Sequence, residues 1–311
     1  MVVSVTGLGK LTNRIAVANA ENPAPDRIKL SSGVRASQIK GMRASSKLHM
    51  INGKPTHLRS VGNESGPPAI FIHGLGGTGD FWSPLIQSSK LQERYHCHLF
   101  DFEGHGLSPT SPLSKISIAS LANDVKSIYR YLGLTSGATV FAHSMGCLVA
   151  LDFAINNPDW VNKLVLLGPP HSPLPEAGSK ASHARAELAR SQGMEAVTDT
   201  VATAGTSDKT KRENALAFTV VKLSLLGQDP EGYAKACTAL AEATNALDVS
   251  KVEAETYIIT GAEDKVSPPQ LCHGYREKMP NVKSVQALDG VGHWHIFEDL
   301  AAVSKAVGQA L

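Results

Sequence analysis

The stretch from residue 139 to residue 150 constrains the fold of this chain most. It begins with the β-branched and aromatic residues expected of a buried strand and continues into the small, apolar residues of a helix. Ser144 stands where strand and helix meet, with Ala142 two residues before it and Gly146 two residues after it. Small residues there permit a sharp turn that exposes the serine hydroxyl beside the N–H groups of the helix start. Because such a pattern also arises by chance, its meaning depends on the rest of the chain.

Composition narrows the class of protein. The chain has 311 residues, of which 42% are hydrophobic, so it can bury a large core. Its net charge of +2 gives no reason to expect a nucleic-acid partner, and no apolar run is long enough to span a bilayer. The four cysteines lack C-x-x-C spacing, which favours reduced thiols and a cytoplasmic location. Mitochondrial import is the alternative, since the first twenty residues contain Lys10 and Arg14 but no acidic residue.

Strand and helix patterns alternate along most of the chain. The Asn52-Gly53 pair predicts the turn of a β-hairpin near the start of the core. Apolar runs separated by helical patterns follow, which predicts an α/β fold with a mostly parallel sheet flanked by helices. The predicted strands cover residues 69–72, 96–101, 139–143, 163–167, 255–260 and 283–288, and a closing helix covers residues 298–310.

The alternation is interrupted once. Residues 171–251 contain helical patterns without a convincing strand, which predicts an all-helical cap inserted over the carboxyl edge of the sheet. The start of the chain is basic and lacks sustained periodicity. The predicted organisation is therefore a basic N-terminal extension (1–45), a first part of the core (46–170), the cap (171–251) and a second part of the core (252–311).

Two loops that follow strands carry the partners that Ser144 would need. Loops after parallel strands open at one edge of the sheet, where ligands bind. A serine hydroxyl becomes a nucleophile when a base takes its proton, and an imidazole needs an acceptor to fix its tautomer. His293, after the last predicted strand, can be the base, and Asp264, after the preceding one, can be the acid. Glu263 competes with Asp264 for the acid role.

Two other patterns have competing explanations. The glycine-rich loop 73–80 could cradle a phosphate, but it has neither the P-loop lysine nor the spacing of a dinucleotide fingerprint. His96 and His98 share one face of a strand, as metal ligands can. Because no third ligand follows at suitable spacing, we predict no metal and no cofactor.

From about residue 46 onwards the chain resembles the α/β-hydrolases, and within them the 3-oxoadipate enol-lactonase and small carboxylesterase branch. The matching motifs, in chain order, are His73-Gly74-Leu75-Gly76-Gly77, Asp101-x-x-Gly104-His105-Gly106, Ala142-His143-Ser144-Met145-Gly146, Gly261-x-x-Asp264 and Gly292-His293. The order serine, acid, histidine is that of the family. Segments 229–237 and 264–269 are similar to enol-lactonases. The resemblance implies an α/β-hydrolase fold with an inserted helical cap.

The resemblance also implies roles for individual residues. It makes Ser144 the nucleophile, His293 the base and Asp264 the acid, with the backbone N–H groups of Leu75 and Met145 as the oxyanion hole. The residues expected to contact substrate, for each of which core packing is the alternative, are His73, Gly74, Phe81, Trp82, His143, Phe218 and Trp294.

The implied reaction is hydrolysis of a small carboxylic ester or lactone through an acyl-enzyme. The same triad also serves carbon–carbon bond hydrolases, thioesterases, amidases and acyltransferases, and a slow-turnover ligand receptor with this fold is a further alternative. Ala142, where the family usually has glycine, and Trp294-His295 after the histidine depart from the pattern and leave the substrate open, as the sequence leaves the oligomeric state.

Overall fold

Eight strands form one sheet in the computed structural model, which describes residues 47–134 and 137–311. The strands are β1 (Lys47–Ile51), β2 (Lys54–Gly62), β3 (Pro68–Ile72), β4 (His96–Phe100), β5 (Ala138–His143), β6 (Val161–Leu167), β7 (Glu255–Gly261) and β8 (Val282–Leu288). Their order across the sheet is β1-β2-β4-β3-β5-β6-β7-β8. The pairs β1–β2 and β2–β4 are antiparallel and all other pairs are parallel. The predicted α/β class with a mostly parallel sheet is confirmed.

The hairpin turn lies where the sequence predicts it. Asn52 and Gly53 join β1 to β2 with φ angles of 53° and 72°. Two consecutive positive φ angles are those of a type I′ turn, whose twist matches that of the paired strands. The predicted N-terminal extension, residues 1–45, lies outside the described residues.

Helices cover both faces of the sheet. Outside the block between β6 and β7 they are α1 (Ser83–Ser88), α2 (Leu91–Arg94), α3 (Ile118–Tyr131), α4 (Met145–Asn156), α10 (Pro269–Lys278), α11 (His295–Glu298) and α12 (Leu300–Gly308), with 3-10 turns at Gly79–Trp82 and Pro158–Trp160; a third 3-10 turn, Val249–Lys251, lies at the end of that block. Alternate side chains of the strands enter two separate clusters of buried residues. On β3, Ile70 and Ile72 join one cluster and Phe71 joins the other, where its ring stacks on Phe141 at 4.6 Å. Burial on both faces explains why the inner parallel strands β3 and β5 are almost wholly apolar.

The block between β6 and β7 is entirely helical. It contains α5 (Glu176–Gln192), α6 (Glu195–Gly205), α7 (Asp208–Glu213), α8 (Ala215–Leu226) and α9 (Pro230–Ala241), and residues 168–254, all of them described, include no strand. Ser182 Oγ donates to the carbonyl of Cys237 at 3.0 Å, which joins α5 to α9. The division into core and cap stays a prediction. Across the part of the chain that the structure describes, no helix has both the length and the apolar character needed to cross a membrane.

Local side chains and backbone set several helix boundaries, one of which differs from the sequence prediction. Thr78 caps the first turn after β3, because the Thr78 hydroxyl accepts from the Asp80 N–H. Helix α5 begins at Glu176, directly after Pro175. The closing helix is divided, since Asp299 ends α11 and its carboxylate caps α12 through the Ala302 N–H.

Candidate active site

Ser144 lies on a strained turn between β5 and α4. Its φ is +52° and its ψ is −124°, a backbone conformation that a non-glycine residue adopts only when the surroundings impose it. The Ser144 N–H donates to the Leu167 carbonyl of β6 at 2.9 Å, which fixes the turn against the sheet. Gly146 allows the close approach of helix to sheet, because a Cβ there would lie 2.5 Å from the His73 carbonyl oxygen. The turn therefore presents a half-buried serine at the carboxyl edge of the sheet.

The structure brings Ser144, His293 and Asp264 together from the ends of three strands. The distance from His293 Nε2 to Ser144 Oγ is 2.7 Å, and the distance from His293 Nδ1 to Asp264 Oδ2 is 2.8 Å. Ser144 follows β5, Asp264 follows β7 and His293 follows β8. Both contacts are at hydrogen-bond distance, so the imidazole links the hydroxyl to the carboxylate.

Asp264 is held as an anion by its surroundings. Its Oδ1 accepts hydrogen bonds from the N–H groups of Val266 and Ser267, each at 2.8 Å. Burial by itself would raise the pKa of this carboxyl, but the imidazoles of His293 and His295 hold its pKa well below the usual value. A buried carboxylate with these donors can stabilise a neighbouring imidazolium.

Glu263, the competing acid, points elsewhere. Its Oε2 accepts a hydrogen bond from the Asp208 N–H at 2.8 Å. Asp264, the adjacent residue, is 3% exposed, and its carboxylate is the one that meets the imidazole. The geometry favours Asp264 for the acid role.

His295 is a member of this cluster that the sequence reasoning missed. Its fully buried ring places Nε2 at 3.3 Å from Asp264 Oδ2, on the same oxygen that meets His293. Ligand atoms of Asp264, His293 and His295 lie within 4.8 Å of one another, a spacing that metal ligands share. The 2.8 Å contact between His293 and Asp264 is a hydrogen-bond length, so we interpret the cluster as a carboxylate between two imidazoles. The available signal was the unusual Trp294-His295 pair.

The two predicted oxyanion donors follow residues that pack around Ser144. Gly74 lies so close that a Cβ there would come within 2.7 Å of Ser144 Cβ, and Leu75 is the next residue. Met145 is the first residue of α4 and is fully buried. A helix N-terminus directs backbone N–H groups outward, as a developing oxyanion requires.

Two of the histidines predicted to contact substrate use their rings to hold loops. His73 Nδ1 donates to the Gly74 carbonyl at 2.8 Å, and its Nε2 accepts from the Phe102 N–H at 2.9 Å. His143 Nε2 donates to the His293 carbonyl at 2.9 Å. Burial lowers the pKa of both histidines, to well below the usual value in His143. Both rings are therefore neutral supports for the loops that carry the site.

The predicted aromatic residues divide between a groove and the core. Phe81 stacks on His143 at 4.5 Å and lines an open, mostly apolar groove of about 740 Å³ between α1 and α8. Trp82 is fully buried against Phe71, and Trp294 is 3% exposed. Phe218 lies half-buried on α8. Of these four aromatic residues, the structure places only Phe81 in the lining of this groove.

Comparisons with known proteins identify the family and the fold. A family model described as alpha/beta hydrolase fold matches residues 67–300. The chain is 30% identical to 3-oxoadipate enol-lactonase 2 of Acinetobacter baylyi over 67% of its own length and 75% of that protein. Two solved structures share its fold: an esterase from Thermogutta terrifontis (TM-score 0.75, 21% identity, 82% of this chain and 92% of that one) and the enol-lactonase from Burkholderia xenovorans (TM-score 0.74, 22% identity, 84% and 98%).

Proposed function

The chain belongs to the α/β-hydrolase fold family, and from this premise we propose that it is a serine hydrolase that cleaves a carboxylic ester or lactone through an acyl-enzyme. The resemblance inferred from the sequence is confirmed at the level of the family. One observation carries the proposal: a single imidazole lies 2.7 Å from Ser144 Oγ and 2.8 Å from Asp264 Oδ2. The name of the Acinetobacter relative supports an ester or lactone bond as the target.

In the proposed first half-reaction, Ser144 Oγ attacks the substrate carbonyl while His293 Nε2 takes the hydroxyl proton. The Asp264 carboxylate stabilises the imidazolium that forms. The negative charge on the former carbonyl oxygen is stabilised by the N–H groups of Leu75 and Met145, and one such donor typically contributes about 3–4 kcal/mol to transition-state stabilisation.

Collapse of this intermediate breaks the ester bond. His293 returns the proton to the leaving alkoxide, and the acyl group stays on Ser144. With a lactone, the new hydroxyl remains part of the acyl group. In the second half-reaction His293 removes a proton from water, the resulting hydroxide attacks the acyl carbon, and Ser144 leaves with its proton restored.

The proposal extends to substrate binding and compartment. We propose the apolar groove as the site for the apolar part of a small-molecule substrate: its lining includes none of Ser144, Asp264 and His293, and Phe81 connects it to the active site by stacking on His143. The four free cysteines are all buried, which supports the reducing environment of the cytoplasm as the proposed compartment.

The proposal is tested with a panel of aryl esters of graded chain length and a panel of lactones, using the wild-type chain and the Ser144→Ala variant. Removal of the nucleophile from a related triad costs on the order of a millionfold in turnover. We expect at least one panel to be hydrolysed by the wild type and not detectably by Ser144→Ala, with circular dichroism reporting an unchanged fold. A variant that keeps a tenth of the activity rules the proposed triad out.

A further inference from the structure

We infer that Glu298 is a positioning residue, which fastens the segment between α6 and α7 to the loop that carries His293 and so keeps the imidazole at Ser144. The segment, residues 205–210, runs from the last residue of α6 through the connection into the first turn of α7, within the helical block between β6 and β7. The inference rests on the proposed function, because it assigns a role in the same reaction to a residue that does not touch the reacting atoms.

The Glu298 carboxylate is 8% exposed and accepts four hydrogen bonds. Two donors belong to the helical segment: the Ser207 N–H at 2.7 Å and the Thr210 hydroxyl at 2.9 Å. The other two are the N–H groups of Gly292 and Trp294, each at 3.0 Å. Those two residues stand on either side of His293, so one side chain joins the segment to both flanks of the proposed base.

The backbone of the histidine itself completes the connection. The His293 N–H donates to the Gly205 carbonyl at 2.7 Å. The helical segment and the histidine loop lie so close together that a Cβ at Gly292 would come within 2.7 Å of the Ser207 nitrogen. Three consecutive N–H groups of the histidine loop therefore have their acceptors either in the helical segment or in the carboxylate that holds it.

The segment has a second, weaker attachment. Glu263 Oε2 accepts the Asp208 N–H at 2.8 Å, and Glu263 precedes the proposed acid Asp264. The segment is thus hydrogen-bonded to both of the loops that carry the proposed triad residues Asp264 and His293. Glu298 is buried and accepts four hydrogen bonds, two from the segment and two from the histidine loop. Glu263 is half-buried and accepts one from the segment. Glu298 therefore makes the stronger attachment.

Removal of the carboxylate would leave buried donors without acceptors, which is costly enough to make the loop rearrange. The imidazole must stay within hydrogen-bond reach of Ser144 to accept its proton. A displacement of about 1 Å in a catalytic group costs on the order of a hundredfold in rate. We therefore expect Glu298 variants to lose kcat while KM changes little, because the residue holds the base and not the substrate.

The test uses the full chain and compares Glu298→Gln, Thr210→Val and the control Glu277→Gln. In Glu298→Gln one carboxylate oxygen becomes an NH2 group that cannot accept, so either the Trp294 N–H or the three donors to the other oxygen lose their acceptor, whereas Thr210→Val removes one of the four bonds. Glu277 is an exposed carboxylate in the last turn of α10. The two measurements are hydrogen exchange in peptides covering residues 205–210 and 290–295, and the rate at which a fluorophosphonate probe labels Ser144.

For Glu298→Gln we expect faster exchange in both peptides and labelling that is about ten- to a hundredfold slower. Thr210→Val should show the same changes at a smaller size, with labelling about two- to tenfold slower than in the wild type, and Glu277→Gln should match the wild type. If Glu298→Gln does not fold, the exchange and labelling of Thr210→Val decide the question. This inference alone is overturned if the probe labels the wild type and if the Glu298 and Thr210 variants match the wild type in both labelling rate and hydrogen exchange. A wild type that the probe leaves unlabelled at Ser144 overturns the proposed function as well.

Discussion

Two buried aspartate–histidine pairs lie at opposite parts of the sheet and have the same contact distance. The Oδ2 of Asp101, which follows β4, is 2.8 Å from His57 Nδ1, and the Oδ2 of Asp264, which follows β7, is 2.8 Å from His293 Nδ1. Both aspartates are 3% exposed. In each case burial opposes ionisation, but the neighbouring donors hold the pKa below its usual value.

The two pairs differ in what surrounds them. Asp101 also accepts the N–H groups of Gly79 at 2.7 Å and Leu107 at 2.9 Å, so it ties β2 to the loops that follow β3 and β4. The backbone donors to Asp264 come from its own loop, and its imidazole faces Ser144. The Asp101–His57 pair therefore connects a strand and two loops, whereas the Asp264–His293 pair is part of the proposed triad because its imidazole faces Ser144.

The two pairs should differ most in how far substitution of the aspartate lowers turnover. We expect Asp264→Asn to lose about 10⁴-fold in kcat, the cost of the equivalent change in a well-studied triad. Asp101→Asn should stay within about tenfold of the wild type, because Asp101 holds loops and not the proposed base. Initial rates on one activated ester, with circular dichroism as the folding check, measure both. Glu263→Gln serves as the matched control next to Asp264 and should also stay within about tenfold.

Equal losses in Asp264→Asn and Asp101→Asn would abolish the distinction between the pairs. A larger loss in Glu263→Gln than in Asp264→Asn would move the acid role to Glu263.

Acidification tests the buried imidazoles around both pairs. Burial lowers the pKa of His98 and His105 to about 3, and it also lowers the pKa of His73 and His143. Below the unfolded-state value of about 6.5, the unfolded chain binds protons that the folded chain does not, so stability falls as pH falls. Each such histidine contributes up to about 1.4 kcal/mol per pH unit.

For His98 and His105, whose folded-state pKa is about 3, this loss continues across the whole range from about pH 6.5 to pH 4.5, and a folded domain typically has only about 5–15 kcal/mol of stability to lose. We expect the urea midpoint to fall steeply between about pH 6.5 and pH 4.5. His105→Asn should flatten this dependence by up to one histidine's share. A midpoint that stays constant between pH 7 and pH 5 would contradict the expectation.

Substitution of the two aspartates should affect stability in the opposite order, with Asp101 costing more than Asp264, and by a smaller amount. Asp101→Asn should lower the free energy of unfolding by about 2–4 kcal/mol, because the carboxylate joins three segments and hydrogen bonds to a charged group contribute about 1.5–3 kcal/mol each before compensation. Asp264→Asn should cost less stability, since its backbone donors belong to one loop. Urea unfolding at pH 7.5 measures the difference. A larger loss of stability in Asp264→Asn would reverse this part of the comparison.

The sequence predicts the proposed triad better than it predicts the polar contact between His57 and Asp101. Ser144, Asp264 and His293 each follow a predicted strand, and strand ends of a parallel sheet meet at one edge, so their proximity follows from chain order. The contact between His57 and Asp101 depends on the register of an antiparallel pair, in which Leu58 lies opposite Phe100. Periodicity predicts that both strands exist but not how they are aligned.

Polar contacts between residues far apart in sequence could not be predicted either, because sequence patterns do not specify how distant segments align. Glu298 and Ser207 are 91 residues apart, and no pattern in either segment specifies its partner. Trp82 shows the limit of composition: the sequence leaves open whether this aromatic residue after the glycine-rich loop contacts substrate or packs in the core, and the structure places it in the core against both Phe71 and Phe141. Residue type predicts that such a side chain is buried but not against which surface.

Covalent labelling by a fluorophosphonate probe, located by peptide mass spectrometry, tests the central claim most directly. The reagent reacts with a serine that a neighbouring base has activated, so the adduct reports the contact between His293 and Ser144 without any assumption about substrate. We predict one adduct, on Ser144, formed by the wild type and by Asp101→Asn at rates within about tenfold of each other and several orders of magnitude more slowly by Asp264→Asn. No adduct on the wild type, or an adduct on a different residue, would contradict the assignment of Ser144 as the nucleophile.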